Sequence, residues 1–153
     1  MQRPCTNIYK TARLTAGLTQ ERWAEVVGIS VESVKLYESD RGLPSDEVIT
    51  RMTEVAVMPV LSYWHLKRKS AVANDILPEV ERIELPQAVI QLLCAIRDFR
   101  ANADELLTIA ADGLIDPSEQ PIFEEILADL DGIVRAALTV KFAEGRTKNE
   151  GTA

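Results

Sequence analysis

Histidine and cysteine are nearly absent from this chain of 153 residues, which limits the chemistry it can support. His65 is the single histidine, and Cys5 and Cys94 lie far apart without a CxxC motif. A multi-ligand zinc site needs more such side chains, and two distant thiols do not make a disulfide framework. The sequence also lacks a glycine-rich phosphate loop and a GxSxG motif. We therefore expect no catalytic site, no metal and no cofactor.

Long apolar runs are missing as well. No run reaches the roughly 18 residues that a membrane span requires, and the first residues, MQRPCTN, lack the apolar region of a signal peptide. Glycine and proline number only seven each, while 46% of the residues are hydrophobic and 27% are charged. This composition is typical of a folded domain. We expect a cytoplasmic protein that makes no contact with a membrane.

The net charge of −7 is distributed unevenly. Residues 1–70 carry ten Lys or Arg and eight acidic residues, a net charge of +2, whereas the remainder carries seven and sixteen, a net charge of −9. A nucleic acid would repel the acidic part, but the first part can present a local basic face. Residues 1–70 and the remainder of the chain are expected to have different functions.

The pattern between residues 6 and 69 predicts five short helices separated by tight breaks. Residues suited to helix starts recur, and glycine or proline stands where three of the helices should end. The predicted starts are Thr6, Thr19, Ser30, Ser45 and Pro59, and the predicted breaks are Gly17, Gly28 and residues 42–44.

The acidic part has the pattern of a helical hairpin. Apolar residues recur every three or four positions from Leu85 to Ala110 and again from Ile122 to Val140, with a break at Gly113. Asp116, followed by Pro117 and Glu119, predicts the start of the second helix. We predict an all-α chain with a first domain at 1–70, a linker at 71–85, an antiparallel hairpin at 86–143 and a disordered tail at 144–153.

The second and third predicted helices have the residues that a helix-turn-helix requires. Ala24 is small where the two helices must approach closely, and Gly28 suits a turn with an unusual backbone angle. Such a pair lets one helix brace another that lies in the major groove of DNA. The positions that would lock the pair are all apolar or aromatic: Trp23, Val27, Ile29, Val34 and Tyr37.

With these residues in place, positions 7–66 resemble the Cro/C1-type (XRE-like) helix-turn-helix family. The resemblance includes the five-helix order, LTQ at 18–20 and the LYES ending of the third helix. It implies a DNA-binding transcriptional regulator, repressor-like in action. More loosely, the whole chain, with LPQAV after the first domain and ADGLIDPSE between the hairpin helices, is similar to phage regulatory proteins of the CII type, which implies a phage or mobile-element origin.

The resemblance also assigns roles to three side chains. Gln20 corresponds to the glutamine that, with the start of the second helix, holds a backbone phosphate in the family. Arg13 and Glu38 correspond to the arginine and glutamate that pair between the first and third helices. Their role is structural, without direct contact to bases.

Base contact is expected on the exposed face at the start of the third helix. Glu32 can accept from cytosine N4 or simply remain solvated, Lys35 can donate to guanine or phosphate, and Val31 can meet a thymine methyl. Where the family often has Asn-Gly after this helix, the chain has Ser39 and Asp40, and Arg41 can offset the repulsion between Asp40 and phosphate. The candidate DNA-contacting residues are Gln20, Ser30, Val31, Glu32, Lys35, Leu36, Ser39 and Arg41.

The acidic hairpin leaves alternatives open. Its apolar stripes can form a homodimer, in which two DNA-binding domains meet a palindrome, or they can be satisfied within one chain. An antitoxin-like autoregulator, whose acidic part binds a protein partner, is one alternative function. A helical protein-interaction adaptor without DNA binding is another.

Overall fold

The computed structural model describes residues 7–145, and within this range every regular element is an α-helix. The fold class is therefore all-α, as predicted. The helices are α1 (Ile8–Thr15), α2 (Gln20–Val27), α3 (Val31–Glu38), α4 (Asp46–Ala56), α5 (Val60–Lys69), α6 (Ala71–Ile76), α7 (Leu85–Ala101), α8 (Ala103–Ala110) and α9 (Gln120–Phe142).

The chain divides into two compact units, Met1–Leu77 and Pro78–Ala153. The first unit contains α1 to α6, and the second contains α7 to α9. The segment 71–85, expected as a linker, includes the short helix α6 and the point of division. Lys67 of α5 reaches the end of α6, where its Nζ donates to the backbone oxygen of Leu77 over 2.8 Å. The first unit therefore extends past the expected boundary at residue 70.

Side-chain caps define the helix starts of the first unit. Thr19, Ser30 and Ser45 each accept a hydrogen bond from the backbone three residues later, as their positions in the sequence predict. At α1 the cap is Asn7, whose Oδ1 accepts from the backbone nitrogen of Lys10 over 2.9 Å. The predicted cap at Thr6 was wrong, and Thr6 itself lies outside the described residues.

A continuous apolar core holds α1 to α5 together. Trp23 and Tyr9 are its largest members, each 1% exposed, and Leu61 is fully buried. Burial of such side chains is the main favourable contribution to folding. The other buried apolar residues of this unit are Ala12, Ala24, Val27, Val34, Val48, Ile49, Met52, Ala56, Met58, Val60 and Tyr63.

The second unit is an antiparallel pairing of α7 with α9. The ends of the pair are joined by backbone hydrogen bonds, from Leu85 N to Glu144 O over 3.2 Å and from Glu144 N to Ile83 O over 3.1 Å. Arg82 Nε also lies 2.6 Å from Glu144 Oε1. The expected tail at 144–153 therefore begins with a bonded residue, and from residue 146 onwards it lies outside the described range.

The first hairpin helix is not continuous from Leu85 to Ala110, contrary to the prediction. It breaks at Asn102, which has φ −114° and ψ 6° and separates α7 from α8. The Asn102 side chain donates to Asp129 Oδ2 of α9 over 3.2 Å. This bond to another helix, together with the low helix propensity of asparagine, explains a break that apolar spacing alone does not reveal.

The second hairpin helix begins at Gln120, later than predicted. Asp116 Oδ1 accepts from Glu119 N over 3.1 Å, and Glu119 Oε2 accepts from Asp116 N over 3.0 Å. This reciprocal pair is a capping box, but it closes a separate turn that precedes α9. The predicted contacts form while the regular helix starts four residues after Asp116.

Apolar burial in the second unit is shallow. Ile126 is fully buried, but the other buried apolar residues are Val80, Ala88, Ile109 and Ala136. Large apolar side chains remain exposed, among them Ile90, Leu93, Leu107, Leu114, Leu127 and Val134.

Within residues 7–145, none of the helices combines the length and the apolar character that spanning a membrane requires.

Candidate DNA-binding surface

The turn between α2 and α3 has the geometry of a helix-turn-helix. Gly28 adopts φ +75°, and its N–H donates to Ala24 O over 2.9 Å. The N–H of Ile29 donates to the same oxygen over 3.0 Å. Glycine adopts this left-handed conformation without the strain of a side chain. Ala24 is 3% exposed, and Trp23 and Val34 are each 1% exposed. The small side chain of Ala24 lets the two helices approach closely, and the buried side chains of Trp23 and Val34 pack between them.

A contact from α4 also supports this turn. Arg51 Nε donates to the backbone oxygen of Val27, in the last turn of α2, over 2.7 Å. A cation at a helix C-terminus satisfies a free carbonyl and is favoured by the helix dipole. Sequence reasoning missed this contact, because Arg51 lies 24 positions from Val27 and no local pattern relates the two residues.

Glu38, at the end of α3, binds residues from both preceding helices. Arg13 of α1 donates from Nε to Oε1 over 2.6 Å and from Nη2 to Oε2 over 3.0 Å. Gln20, the first residue of α2, donates from Nε2 to Oε2 over 2.9 Å. Arg13 Nη1 also donates to the Leu18 backbone oxygen over 2.9 Å. One carboxylate thus ties together the three helices that position the candidate surface.

Electrostatics keep Glu38 charged. Burial acts to raise the pKa of the Glu38 carboxyl, but the hydrogen bonds from Arg13 and Gln20 and the charge of Arg13 outweigh it, so the pKa is lowered. A carboxylate that accepts several charge-assisted hydrogen bonds is stabilised in its ionised form. The pair is consequently a stable ionic connection at neutral pH.

The outer face of α3 carries four exposed side chains, of which Ser39 donates from Oγ to the Leu36 backbone oxygen over 3.1 Å. Glu32, Lys35, Leu36 and Ser39 are exposed and lie at the spacing of one helix face. The side chains of Glu32 and Lys35 form no hydrogen bond or ion pair with any described residue. Buried Val34 lies on the opposite side of the helix. The face is therefore available for an external partner.

The start of α3 is more constrained than its outer face. Ser30 Oγ accepts from Ser33 N over 3.0 Å and lies 2.9 Å from Ser33 Oγ, so it caps the helix. Val31 is half-buried. Both residues are at the N-terminal end that enters a groove in helix-turn-helix docking, but Ser30 already has a structural role.

Leu36 is held by the turn that follows α3. It is 43% exposed, and a Cβ placed on Gly42 would lie only 2.8 Å from Leu36 Cδ2. Glycine at position 42 thus leaves room for the leucine side chain to pack against the backbone. The backbone N–H of Arg41 donates to Leu36 O over 3.1 Å, and the Arg41 side chain is exposed.

The charge of Asp40 is compensated within the first unit. Asp40 has φ +61°, a conformation that aspartate tolerates better than most residues. Its Oδ1 accepts hydrogen bonds from Asn7 Nδ2 and from Arg68 Nη2 of α5. The compensation expected from Arg41 is therefore supplied by Arg68, and Arg41 remains free of ion pairs with the described residues.

Comparison with known proteins agrees with this geometry. A family model described as a helix-turn-helix matches residues 10–55, which span α2, the turn and α3. No curated protein and no solved structure matches the chain. The family match supports a DNA-binding transcriptional regulator as the kind of function. Residues 10–55 are thus a helix-turn-helix of the Cro/C1-type (XRE-like) family.

Proposed function

We propose that the protein is a sequence-specific, repressor-like transcriptional regulator that places α3 in the major groove of DNA. The observation that carries the proposal is the outer face of α3, where Glu32, Lys35 and Ser39 are exposed while Val34 anchors the helix from behind. A recognition helix needs this division between an anchored side and a free side.

The side chains on this face suit particular base edges. Lys35 can donate to guanine O6 or N7 or to a phosphate, and Glu32 can accept from cytosine N4. Val31 can contact a thymine methyl. Gln20 donates one N–H of its side-chain amide to Glu38. Its proposed phosphate contact therefore depends on the second N–H of that amide, together with the free backbone N–H groups at the start of α2.

Phosphate contacts are expected at the edge of the same surface. Arg41 follows α3 with an exposed side chain, and Ser39 is exposed next to it. Because Arg68 and Asn7 bind Asp40, its negative charge is offset where the chain would approach phosphate. These contacts would fix orientation, while the α3 side chains would supply sequence preference.

We further propose that the second unit forms a homodimer. Its helices leave Ile90, Leu93 and Leu107 at least 61% exposed, and few large apolar side chains are buried within the unit. Two such units can cover these faces by forming a helical bundle. A two-fold dimer would then bind half-sites about 10 bp apart, or a multiple of that distance.

An antitoxin-like autoregulator is the second candidate. The support for it is that the same unit combines exposed apolar side chains with a strongly acidic composition, which suits a basic protein partner. A homodimer and a toxin complex would use the same faces. The oligomeric state of the isolated chain distinguishes the two functions.

The function is tested by DNA-binding measurements on the full chain with a duplex from the region upstream of its own coding sequence and an unrelated duplex. We expect tighter binding to the upstream duplex, a changed base preference in Lys35→Ala, and uniformly weaker binding in Gln20→Ala. Lys141→Ala, an exposed lysine of the second unit, is the matched control and should bind as the natural chain does. Equal, near-background affinity for all duplexes would reject the regulator function.

A further inference from the structure

A pocket of about 490 Å³ lies between the start of α4 and the end of α5 in the first unit. Ile49 and Leu66 give it an apolar side, while Asp46, His65 and Lys69 supply polar groups. This volume is in the range of small-molecule sites, roughly 300–1,000 Å³. The pocket is formed by α4, α5 and Ser70, so none of its lining comes from the outer face of α3.

His65 brings an unsatisfied polar atom to this pocket. Its side chain is 4% exposed, and Nε2 is buried without a hydrogen-bond partner among residues 7–145. Asp46 Oδ1 lies 3.8 Å from Nε2, too far for a hydrogen bond. A buried polar atom without a partner is costly, so Nε2 favours any acceptor that reaches it, either the nearby Asp46 carboxylate or a group from outside the chain.

The hydrogen bond between Tyr9 and His65 determines whether a partner of Nε2 must be a hydrogen-bond donor or an acceptor. Tyr9 Oη lies 3.0 Å from His65 Nδ1, and burial raises the pKa of Tyr9 to about 12, so the hydroxyl keeps its proton at neutral pH. Burial lowers the pKa of His65, which leaves the ring neutral. Tyr9 Oη forms no other hydrogen bond with a described residue, so its proton goes to Nδ1 and the ring proton resides on Nε2. The partner must therefore be an acceptor.

Lys69 places a positive charge at the same pocket. Its Nζ lies 2.6 Å from Asp46 Oδ1. The side chain of Lys69 is 46% exposed, and that of Asp46 is 77% exposed. Exposed ion pairs of this kind exchange partners at little cost. Asp46 is the first residue of α4, where the helix dipole continues to stabilise its charge if Lys69 turns away.

We propose that this pocket binds a small organic carboxylate. One carboxylate oxygen accepts from His65 Nε2, the other meets Lys69, and the apolar part of the ligand lies against Ile49 and Leu66. The ligand oxygen accepts the hydrogen bond of Nε2–H in place of Asp46 Oδ1, which lies too far away to accept it. The Asp46 side chain turns toward solvent when the ligand binds. This site is independent of the DNA-binding function proposed above.

The test uses nuclear magnetic resonance on the full chain, because the single histidine makes the imidazole signals unambiguous. Benzoate is the first probe, and benzamide is its neutral counterpart with the same ring. Sodium chloride and phosphate at matched ionic strength control for general anion effects. We expect benzoate to shift the His65 Nε2–H signal in a saturable way and benzamide to bind much more weakly.

Two variants test the role of charge. Lys69→Gln replaces the half-exposed pocket cation with a neutral polar side chain, and we expect its Kd for benzoate to rise about tenfold. Lys141→Gln removes a lysine from the second unit and should leave Kd unchanged. The proposal is overturned if benzoate, acetate and pyruvate all fail to give a saturable shift, if chloride or phosphate reproduces it, or if Lys69→Gln binds benzoate as tightly as the natural chain.

Discussion

Arg13 and Glu38 are 25 positions apart, yet their side chains form two parallel hydrogen bonds of 2.6 and 3.0 Å that join α1 to the last turn of α3. The side chains are only 10% and 6% exposed. A bidentate guanidinium–carboxylate pair fixes direction as well as distance. The orientation of α3 therefore depends on a residue in the first helix.

Arg13→Ala should destabilise the first unit by about 3 kcal/mol or more, because the buried Glu38 carboxylate loses its charged partner. Urea unfolding followed by tryptophan fluorescence measures this, since Trp23 and Trp64 both lie in the first unit.

The matched control for this change is Arg22→Ala. Arg22 pairs with Glu25 on the surface, where the side chains are 57% and 69% exposed. Its removal should cost less than about 1 kcal/mol. Equal effects of the two substitutions would contradict the structural role of the Arg13–Glu38 pair.

Acidification should weaken the first unit as the pH falls below 6.5, the ordinary pKa of histidine. Burial and the charge of Lys69 lower the pKa of His65, although Asp46 opposes them. His65 in the unfolded chain then takes up a proton at a higher pH than His65 in the folded chain does. The contribution of neutral His65 to the free energy of unfolding is therefore complete above pH 6.5, and it is lost as the pH falls towards the pKa of His65 in the folded chain. A titration of the His65 ring signals should give a midpoint below 6.5, and a midpoint at or above this value would contradict the prediction.

Val57→Gly should stabilise the first unit by about 1 kcal/mol, because a β-branched residue is strained in the left-handed region. Val57 has φ +50° at the end of α4 and is 82% exposed, so its side chain contributes little burial to offset that strain. Thermal unfolding should show a higher Tm for Val57→Gly and no comparable gain for Val57→Ala, which keeps a Cβ. A lower Tm for the glycine variant would show that the backbone is not strained there.

A chain ending at Leu77 should fold and remain monomeric, since the ion pairs and core of the first unit all lie before that residue. It should bind a full two-site duplex far more weakly than the intact chain, because the symmetric pairing of two domains is lost. Light scattering and DNA titration measure both effects. If the intact chain is monomeric at concentrations well above those that saturate DNA, the second unit has another role and a protein partner becomes the better explanation.

The sequence predicts the first five helices well because their signals are local. Thr19, Ser30 and Ser45 bond to backbone groups three residues away, and Gly28 adopts the turn angle that its position requires. Such interactions depend on neighbours in the chain and need no knowledge of the tertiary structure. The Cro/C1-type resemblance is confirmed, whereas contact between α3 and DNA stays a prediction.

The features that the sequence does not predict depend on distant residues or on competing local contacts. Arg51 reaches Val27, and Arg68 rather than Arg41 binds Asp40. These pairings are determined by how the helices pack, which no local pattern records. The break at Asn102 lies within an otherwise regular apolar stripe, where periodicity favours a continuous helix and the bond to Asp129 favours an interruption.

The two sides of α3 are under separate constraints. Val34 and Glu38 hold the helix in place from the inside, while Glu32 and Lys35 have no partner in the described chain. Substitutions at the outer positions would therefore leave the free energy of unfolding almost unchanged. Descendants of this chain could acquire new DNA targets through successive stable intermediates, so that binding preference evolves faster than the scaffold that presents it.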